Sequence, residues 1–488
     1  MNECIKVNYT SIVIPNYELG DCEEIEQQLS VWDKICYRFN PIGFYYNEDK
    51  RELRVPRGLD ISYIERKFPN KPIEFNYTPD EYEKVVYTLK TMPKSDIQRK
   101  SIAFLLGEED FKYTQKYSQQ SLNLDTGDGK TYCVIASLTF LKMKSLIVTH
   151  TESIKSQWKE SLLKFTSLSE PHICNLSGTS MIEKLVTLAK SGKNIPYKVY
   201  LVNHATIRNY AKKHGWEAVT ELFKLLKIGV KVFDEAHLEF ENLVRIDLFT
   251  NTKKTFYLTA NFERSGIGEN IVFEKCFKRI AKYGVETKKE KRKHIKYLGV
   301  LYNTKPSLTT QAAVKNVHGF DKNKYCDYEI EQQKFFDVVH TVLDICMKHE
   351  GKILILLSKI KACEIMHKDI VEYLLNTRSD YTVSIYNSSI SDKDKEIALE
   401  RDIIISTQKS LGTGNDIKGL RSVIMTEQYS SKIIANQTAG RLREYSDEDY
   451  TFYIEIVDRG FLRAYDMYKK RLPIFKKKCV QVGEYKYD

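Results

Sequence analysis

The sequence predicts an α/β protein with two parallel-sheet domains and a small α+β module at its N-terminus. Short apolar strands alternate with helices from Ser121 to Thr259, and a second alternating region runs from Lys296 to Val457. Such alternation indicates parallel sheets covered by helices on both faces. The 488 residues are also too many for one core. We therefore expect a module at 1–85, sheet domains at 86–285 and 286–460, and a basic tail at 461–488.

The N-terminal module is expected to form a small mixed sheet. The spacing predicts strand over Ile5–Ile14, helix over Cys22–Ile35, two aromatic-rich strands over Cys36–Pro56 and a short helix over Ile61–Phe68. Its aromatic residues alternate with Arg38, Lys50, Arg51 and Arg54. They would suit either stacking on a nucleic-acid strand or the core of a small sheet, and the core is the more common use. Two further helices are predicted, one over Pro79–Thr91 and one starting near Asp96.

Each sheet domain has its own series of predicted strands. In the first they are Leu122–Leu124, Ser145–Thr149, Ile173–Leu176, Val199–Asn203, Val230–Phe233 and Thr255–Thr259. In the second they are Lys296–Tyr302, Lys352–Leu357, Thr382–Tyr386, Ile403–Thr407, Ser422–Glu427 and Phe452–Val457. The charged segment Glu263–Lys293 reads as the connection between the two domains.

A glycine loop between the first strand and the next helix is typical of a phosphate-binding site. Residues 122–131 read LNLDTGDGKT. Gly127 and Gly129 would let backbone N–H groups turn toward a polyphosphate, Lys130 can reach its outer phosphates, and the Thr131 hydroxyl can bind Mg²⁺. The start of the following helix adds positive potential. An ordinary strand-to-helix turn is the alternative, so a second element is needed.

That second element is the pair of carboxylates at the end of the predicted strand in KVFDEAH, residues 231–237. Asp234 would hold Mg²⁺ and Glu235 would take a proton from an attacking water, the two roles that nucleoside triphosphate hydrolysis requires. A lone Asp-Glu pair is usually a solvated turn. In combination with the upstream loop, it predicts an NTPase. The Gln98 amide would suit either the reading of an adenine edge or a solvated position on a helix.

Composition narrows the class of protein and its partners. Net charge is +11, from 76 Lys and Arg against 65 Asp and Glu, which makes nucleic acid the first candidate partner. Ten scattered cysteines form no close pair, so neither a structural zinc site nor an iron–sulfur cluster is expected. No signal peptide and no membrane span are expected, and the predicted location is the cytoplasm.

The motifs resemble those of the superfamily 2 helicases of the DEAH type. Residues 124–131 resemble motif I, DEAH at 234–237 resembles motif II, and Thr259-Ala260-Asn261 resembles motif III with an unusual asparagine. The resemblance implies two tandem RecA-like domains. It also implies nucleotide contacts from a set of residues near the loop and in a later motif V: Gln98, Thr126, Gly127, Asp128, Gly129, Lys130, Thr131, Gly414 and Asp416.

Further motifs imply nucleic-acid and catalytic contacts. The segment LIVTHTESIKSQWKE resembles motif Ia, the segment around Thr407 and Gly412 resembles motif V, and QTAGRLRE resembles motif VI. The implied nucleic-acid residues are Thr149, Gln157, Trp158, Thr206 and Thr407. The implied catalytic residues are Lys130, Asp234, Glu235, Gln437, Arg441 and Arg443. Motif VI usually ends in an arginine where this chain has Glu444, and Arg443 comes one residue earlier.

The N-terminal segment YRFNPIGFYYNEDKRELRVPRGL resembles the module that precedes the motor in the UvsW-like and XPB-like branch-migration helicases. This implies a monomeric, Mg²⁺- and ATP-dependent DNA helicase or translocase that remodels forks or Holliday junctions in recombination or repair, in a host cytoplasm if phage-encoded. An RNA helicase or a viral transcript-release ATPase would use the same motor. A non-motor binding module and the motor subunit of a restriction complex are more distant alternatives.

Overall fold

The computed structural model describes residues 4–33, 37–107, 118–124, 128–193, 195–259, 267–284, 293–316, 319–411, 417–443 and 449–487. The chain divides into two units, Met1–Glu286 and Thr287–Asp488. Each unit is built on a parallel sheet, and the predicted fold class is confirmed.

The first part of unit 1 is the N-terminal module. Its elements are β1 (Ile5–Val7), β2 (Ser11–Ile14), α1 (Glu23–Gln28), β3 (Ser30–Asp33), β4 (Arg38–Pro41), β5 (Tyr45–Asn47), β6 (Glu52–Pro56), α2 (Ile61–Lys67) and β7 (Ile73–Phe75). Within the described residues, five strands form a sheet in the order β5-β6-β2-β1-β7, and β3 pairs with β4.

The helix predicted over Cys22–Ile35 is wrong in its second half. The α-helix ends at Gln28, and Ser30–Asp33 forms a strand instead. Val31 and Trp32 are β-branched and aromatic, which favours a strand. This strand pairs antiparallel with β4, so that Trp32 faces Phe39. Cross-strand pairing therefore overrides the local helical spacing.

The motor sheet of unit 1 follows. Its elements are α3 (Asp96–Leu106), β8 (Gln119–Asn123), α4 (Lys130–Leu141), β9 (Ser145–Thr149), α5 (Glu152–Phe165), β10 (Ile173–Leu176), α6 (Thr179–Lys190), β11 (Val199–Asn203), α7 (His204–His214), α8 (Trp216–Leu225), β12 (Val230–Phe233), α9 (Phe240–Phe249), β13 (Lys254–Thr259), α10 (Ile267–Cys276) and β14 (Ala281–Gly284). Among the described strands, seven run parallel in the order β10-β11-β9-β12-β13-β8-β14.

The segment Glu263–Lys293 is more than the predicted connection. Its described part contains α10 and β14, and β14 extends the sheet by pairing with β8. Val272 and Phe273 on α10 are buried in the core despite the charged residues around them. Together with Cys276 of the same helix, these two residues anchor α10 to the core.

The helix predicted over Pro79–Thr91 is also wrong. This segment is extended, with isolated bridges from Lys84 to Met143 and from Leu89 to Thr166. Val85 and Tyr87 are buried while Val86 between them is 65% exposed, which is the two-residue period of a strand. The segment also exchanges backbone hydrogen bonds with the loops at the amino ends of the motor strands. These partners are distant in sequence, and they decide its conformation.

The module and the motor sheet of unit 1 share one hydrophobic core. The Tyr45 ring meets the Phe249 ring edge-on at 4.8 Å, and the Arg54 guanidinium lies 4.5 Å from the centre of the same ring. Gly58 lies so close to α10 that a Cβ there would be 2.0 Å from the Cys276 carbonyl oxygen. The module is therefore an integral layer of unit 1.

Unit 2 repeats the parallel architecture. Its elements are β15 (Ile295–Tyr302), α11 (Leu308–Ala313), β16 (Lys315–Asn316), β17 (Gly319–Phe320), α12 (Lys322–Glu329), α13 (Gln333–Met347), β18 (Lys352–Leu357), α14 (Ile360–Asn376), β19 (Val383–Tyr386), α15 (Asp392–Leu399), β20 (Ile403–Thr407), α16 (Gln408–Leu411), β21 (Leu420–Met425), α17 (Lys432–Ala439), β22 (Thr451–Asp458), α18 (Leu462–Lys478) and β23 (Gln481–Lys486). Its described strands form a seven-stranded parallel sheet in the order β19-β20-β18-β21-β22-β15-β23.

Residues 461–488, set apart in the sequence as a basic tail, supply α18 and the edge strand β23 of this second sheet. Arg471 of α18 is 1% exposed and forms an ion pair with Glu455 of β22 at 3.0 Å. The carboxylate raises the pKa of Arg471. Because breaking a buried pair leaves one unpaired charge in the core, this contact fixes α18 on the sheet.

None of the helices in the described part of the chain is long and apolar enough to cross a membrane. Each of the nine cysteines in the same residues is a free thiol, and all of them except Cys4 are buried.

Candidate nucleotide site

The predicted catalytic residues of unit 1 lie at the carboxyl ends of its parallel strands. Lys130 begins α4 after β8, and Asp234 and Glu235 follow β12. In parallel sheets, ligands bind at this edge because the loops that join strands to helices converge there.

The described part of the glycine loop is shaped for a close backbone approach. Gly129 has φ +87°, and a Cβ at this position would lie 2.6 Å from Gln98 Nε2. Lys130 Nζ donates a hydrogen bond to the Leu124 carbonyl at 2.8 Å, so the side chain folds back across the loop. Thr131 is half-buried in the first turn of α4. Thr126 and Gly127 lie outside the described residues.

Gln98 lies beside this loop, as an adenine-reading residue would. Its Oε1 accepts from the Lys94 backbone N–H at 2.8 Å, and its Nε2 donates to the Asp128 carbonyl at 3.4 Å. Ser95 caps α3 by accepting from the Gln98 backbone N–H at 3.3 Å. The Gln98 amide therefore connects the start of α3 to the glycine loop.

The carboxylate pair after β12 is held in place by hydrogen bonds. Trp158 Nε1 donates to Asp234 Oδ2 at 2.7 Å, and the Glu235 backbone N–H donates to Asp234 Oδ1 at 3.0 Å. Glu235 has φ +48°, a left-handed conformation that non-glycine residues rarely adopt. His237 Nδ1 lies 2.9 Å from Thr259 Oγ1 and 3.4 Å from Glu235 Oε2, which connects the pair to the end of β13.

The environment of the two carboxylates changes their acidity. Burial and the neighbouring Asp234 charge raise the pKa of Glu235 to about 7, and the Lys130 ammonium opposes this shift. Burial also raises the pKa of Asp234. A carboxylate with a pKa near neutrality is suited to accept a proton from water, because it is ionised at working pH and still basic.

These carboxylates fit a divalent cation bound together with a phosphate ligand. Glu235 Oε2 is a buried atom that lacks a hydrogen-bond partner among the described residues, and a nearby cation would stabilise both charges. In the same part of the chain, no cluster of three or more His, Cys, Asp or Glu side chains is arranged to hold a metal by itself. Mg²⁺ commonly takes one or two carboxylates and completes its shell with phosphates and water.

Comparison with known proteins gives concordant matches. Residues 91–264 match the family described as the type III restriction enzyme res subunit. Transcript termination protein A18 of Yaba monkey tumor virus is 24% identical over 426 residues, which are 83% of this chain and 82% of the relative. DNA 3'-5' helicase XPB of Kineococcus radiotolerans is 31% identical over 151 residues, 31% of this chain and 24% of the relative. S. cerevisiae Dbp5 bound to RNA and ADP BeF3 has a TM-score of 0.53 at 14% identity, covering 80% of this chain and 90% of Dbp5, and shares the fold.

The chain is similar to the superfamily 2 helicases, a group of nucleic-acid-dependent ATPases. In this chain, the described loop residues Asp128–Lys130 and the carboxylates Asp234 and Glu235 come together at one edge of the first motor sheet.

One predicted nucleic-acid residue, Trp158, has its side chain in the core. It is 1% exposed and donates its indole N–H to Asp234. This bond connects α5 to the residue that follows β12. Gln157, the preceding residue, is half-buried.

The three threonines assigned to nucleic acid lie at the ends of strands or the start of a helix, with their side chains turned inward. Thr149 Oγ1 donates to Asn203 Oδ1 at 2.7 Å, and Thr407 Oγ1 donates to Ser410 Oγ at 2.9 Å. Thr206 is buried in the first turn of α7. The Thr149 and Thr407 hydroxyls are therefore engaged by protein partners, and the backbone amides of the loops stay as the candidate phosphate contacts.

The motif VI residues fall on and after α17. Gln437 lies within the helix, Arg441 follows it and is 7% exposed, and Arg443 is exposed. Gly412, Gly414, Asp416 and Glu444 lie outside the described residues. The roles of these side chains toward ATP stay predictions.

Sequence reasoning missed two positioning contacts of the site. The Trp158–Asp234 hydrogen bond joins residues 76 positions apart, and no periodic signal reports such a contact. His237 was part of the DEAH match, but its link to Thr259 was not anticipated. In both contacts, a residue distant in sequence lies next to the carboxylate pair or to its neighbour His237.

Proposed function

We propose that this protein is an ATP-driven motor that moves on DNA and remodels branched DNA, such as forks and four-way junctions, in recombination or repair. The observation that carries the proposal is the meeting of Lys130 with the half-buried Asp234–Glu235 pair at one sheet edge. Supporting it are the net charge of +11, which favours a polyanionic partner, and the similarity to the XPB DNA helicase.

Within this proposal, each residue of the first unit has a defined task in ATP hydrolysis. Lys130 and the glycine-loop amides would bind the phosphates. Thr131 and Asp234 would hold Mg²⁺, which would supply positive charge near the transferred phosphoryl group. Trp158 keeps Asp234 oriented through its hydrogen bond of 2.7 Å. Glu235 accepts the proton of the attacking water, and its pKa of about 7 suits that role.

Residues of the second unit complete the proposed chemistry. Arg441 and Gln437 would contact the outer phosphate of ATP, and Arg443 is the candidate for a second cation. An arginine is expected there because charge that develops on the transferred phosphoryl group needs a cation. Replacing Arg441 or Arg443 by alanine separately, and measuring kcat for ATP, would show which of the two acts.

DNA contacts are proposed to be phosphate contacts that do not read sequence. The loops around Thr149, Thr206 and Thr407 would grip the backbone through their amides. Affinity should therefore fall steeply with salt concentration and depend little on base sequence.

The central test is ATPase activity at one salt concentration with no nucleic acid, single-stranded DNA, RNA, or a four-way junction. Stimulation by the junction, with its conversion to products, supports the proposal. Lys130→Ala should abolish turnover and leave DNA binding measurable. Lys100→Ala is the matched control, since this lysine is exposed and pairs with Asp96 on α3. A Lys130→Ala enzyme that hydrolyses ATP at the wild-type rate would contradict the site.

A second candidate function is release of transcripts from RNA polymerase. It is favoured by one observation, the similarity to transcript termination protein A18 along 83% of this chain. Under this alternative, RNA should stimulate the ATPase and a four-way junction should not. The ATPase would also release RNA from stalled polymerase complexes.

A further inference from the structure

The carboxylate of Glu239 connects three segments of unit 1. Glu239 comes two residues after His237 and immediately before α9. Its Oε2 accepts a hydrogen bond from Arg208 Nη1 of α7 at 3.1 Å, and its Oε1 lies 3.6 Å from His150 Nδ1. His150 follows Thr149 at the end of β9. Glu239 therefore lies where the segments that follow β9, β11 and β12 meet.

These three segments leave neighbouring strands of the motor sheet at one edge. Strands β11 and β9 run parallel, with Asn203 opposite Thr149 at their carboxyl ends, and β12 lies on the other side of β9. Arg208 comes two residues after Thr206 on α7. The ion pair with Glu239 therefore connects the segments proposed to grip DNA, those around Thr149 and Thr206, with the segment that follows the catalytic carboxylates.

The Arg208–Glu239 ion pair is open to solvent. The exposed fraction is 41% for the Arg208 side chain and 29% for the Glu239 side chain. Such a pair contributes little to folding, because water and salt screen it. A guanidinium carries five N–H donors, and their forked arrangement fits a phosphate as well as a carboxylate. A backbone phosphate can therefore replace the Glu239 carboxylate on Arg208 at small cost in free energy.

A short turn connects Glu239 to the proposed base Glu235. Three residues separate the two carboxylates in sequence, and the Leu238 backbone N–H closes the turn by donating to the Glu235 carbonyl at 2.8 Å. At the other end, the Leu243 backbone N–H donates to the Glu239 carbonyl at 2.9 Å. The backbone of Glu235 is thus joined by one hydrogen-bonded turn to the residue whose side chain holds Arg208.

We propose that Arg208 binds a backbone phosphate of the DNA strand, and that Glu239 is the positioning residue that couples this contact to ATP hydrolysis. Without DNA, Glu239 occupies Arg208 and holds the turn that carries Glu235 in a resting position. When a phosphate binds Arg208, the Glu239 carboxylate is released and Glu235 takes up its working position. This inference rests on the proposed function, because it assumes that the chain binds DNA and hydrolyses ATP.

The binding test measures dissociation constants of the full chain for a labelled oligo(dT) strand by fluorescence anisotropy over a range of salt concentrations. Arg208→Gln should weaken binding about tenfold and reduce the slope of log K against log salt concentration by about 0.7, because one phosphate contact is lost. Glu239→Gln should tighten binding about threefold, because the competing carboxylate is removed. A pair that only stabilises the fold would not give changes of opposite sign, since both variants break it.

The coupling test measures the ATPase rate of the same proteins with and without saturating oligo(dT). Glu239→Gln should raise the rate without DNA about threefold, because the same equilibrium between paired and released Glu239 governs binding and turnover. The ratio of the rates with and without DNA should fall by the same factor. Arg208→Gln should also raise the rate without DNA, although it weakens DNA binding.

Matched controls separate these effects from net charge. Glu241→Gln and Lys213→Gln change the charge equally on the same two helices, where Glu241 lies 4.0 Å from Arg245 and Lys213 pairs with Glu183 at 2.8 Å. Both should keep the wild-type salt slope and ATPase ratio. Arg208→Lys keeps the charge and should restore the salt slope. The double variant Arg208→Gln, Glu239→Gln should bind no more tightly than Arg208→Gln alone, because the gain requires Arg208. Thermal melting establishes that each variant is folded.

The outcomes distinguish this coupling from the proposed function. If the wild type neither binds oligo(dT) nor is stimulated by it, the proposed function and the coupling are overturned together. If the wild type is stimulated but Arg208→Gln keeps its salt slope, only the coupling is overturned. A gain in affinity from Glu239→Gln that persists without Arg208 also overturns it, since general charge is then the cause. Changes of opposite sign that require Arg208, with both controls unaffected, support the coupling.

Discussion

The Glu235→Gln variant should stabilise unit 1 above neutral pH while it abolishes ATP hydrolysis. Burial and Asp234 raise the pKa of Glu235 from 4.5 to about 7 in the folded protein. The folded state therefore binds this proton more tightly than the unfolded state. Because the unfolded chain has fewer protons bound between these pH values, folding free energy is lost as pH rises through that window.

The size of the effect follows from the shift in pKa. A difference of about 2.5 pK units corresponds to about 3 kcal/mol at 1.36 kcal/mol per unit. This cost should be fully present above pH 7 and absent below about pH 4.5. Glutamine has the same shape and cannot ionise, so it removes the cost. The enzyme thus tolerates a destabilising carboxylate at the position where hydrolysis needs a base.

The assay is thermal melting of nucleotide-free wild type and Glu235→Gln at pH 5 and pH 8. An unfolding entropy of about 2.1 cal/mol/K per residue converts 3 kcal/mol into a rise of about 5 °C for a unit the size of unit 1. The rise should appear at pH 8 and be much smaller at pH 5. Glu160→Gln on the exposed face of α5 serves as a control. An equal rise at both pH values, or none at pH 8, would refute the reasoning.

Three further outcomes follow from the geometry of the site. The value of kcat/KM for ATP should fall below about pH 7, by up to tenfold per pH unit, because protonated Glu235 cannot accept a proton. A flat profile from pH 5.5 to 8 would count against this role. Trp158→Phe keeps an aromatic ring but loses the hydrogen bond to Asp234, so kcat should drop about tenfold with DNA affinity unchanged. A loss of DNA affinity with kcat unchanged would instead support a role in DNA binding. Gly129→Ala should abolish ATP binding measured by calorimetry. Gly192 also has a positive φ, but no atom lies within 4 Å of a Cβ there. Gly192→Ala should therefore cost only about 1 kcal/mol of stability.

The central strands of both sheets were predictable because they are buried on two faces. A strand covered by helices on both sides is a continuous apolar run, and its ends are marked by polar residues. Ser145–Thr149, Val199–Asn203 and Val230–Phe233 agree with the prediction to the residue. Such a run is contiguous in the chain, so it can be recognised in the sequence without knowledge of the tertiary structure.

Elements whose partners lie far away in sequence were not predictable in the same way. The extended segment after Pro79 is fixed by bridges to Met143 and Thr166, and β3 is fixed by its pairing with β4. Strand β23 at the C-terminus depends entirely on β15, which lies about 185 residues earlier. In each case tertiary pairing determines the conformation.

In the candidate site, too, contiguous features could be recognised from the sequence, whereas contacts between distant residues could not. Lys130, Asp234 and Glu235 could be singled out as candidates because the loop and the acidic pair are each contiguous in sequence, and their roles stay predictions. The role of Trp158 was not, since an indole in a backbone-gripping motif gives no sign that it points inward toward Asp234. The raised pKa of Glu235 was likewise hidden, because it depends on burial and on a left-handed backbone conformation.

The N-terminal module is bound to the motor sheet of unit 1 more extensively than its short sequence motif indicates. By sequence it resembles an accessory segment in front of a motor, but Thr10 donates to the Thr250 carbonyl and Arg245 of α9 donates to the Pro41 carbonyl at 2.9 Å. Arg245 is mostly buried, and its guanidinium also donates to the Phe44 carbonyl. A buried arginine bound to backbone carbonyls on the opposite layer cannot separate without losing those bonds and exposing the aromatic cluster. These bonds therefore hold the module against α9, the helix that follows the DEAH segment.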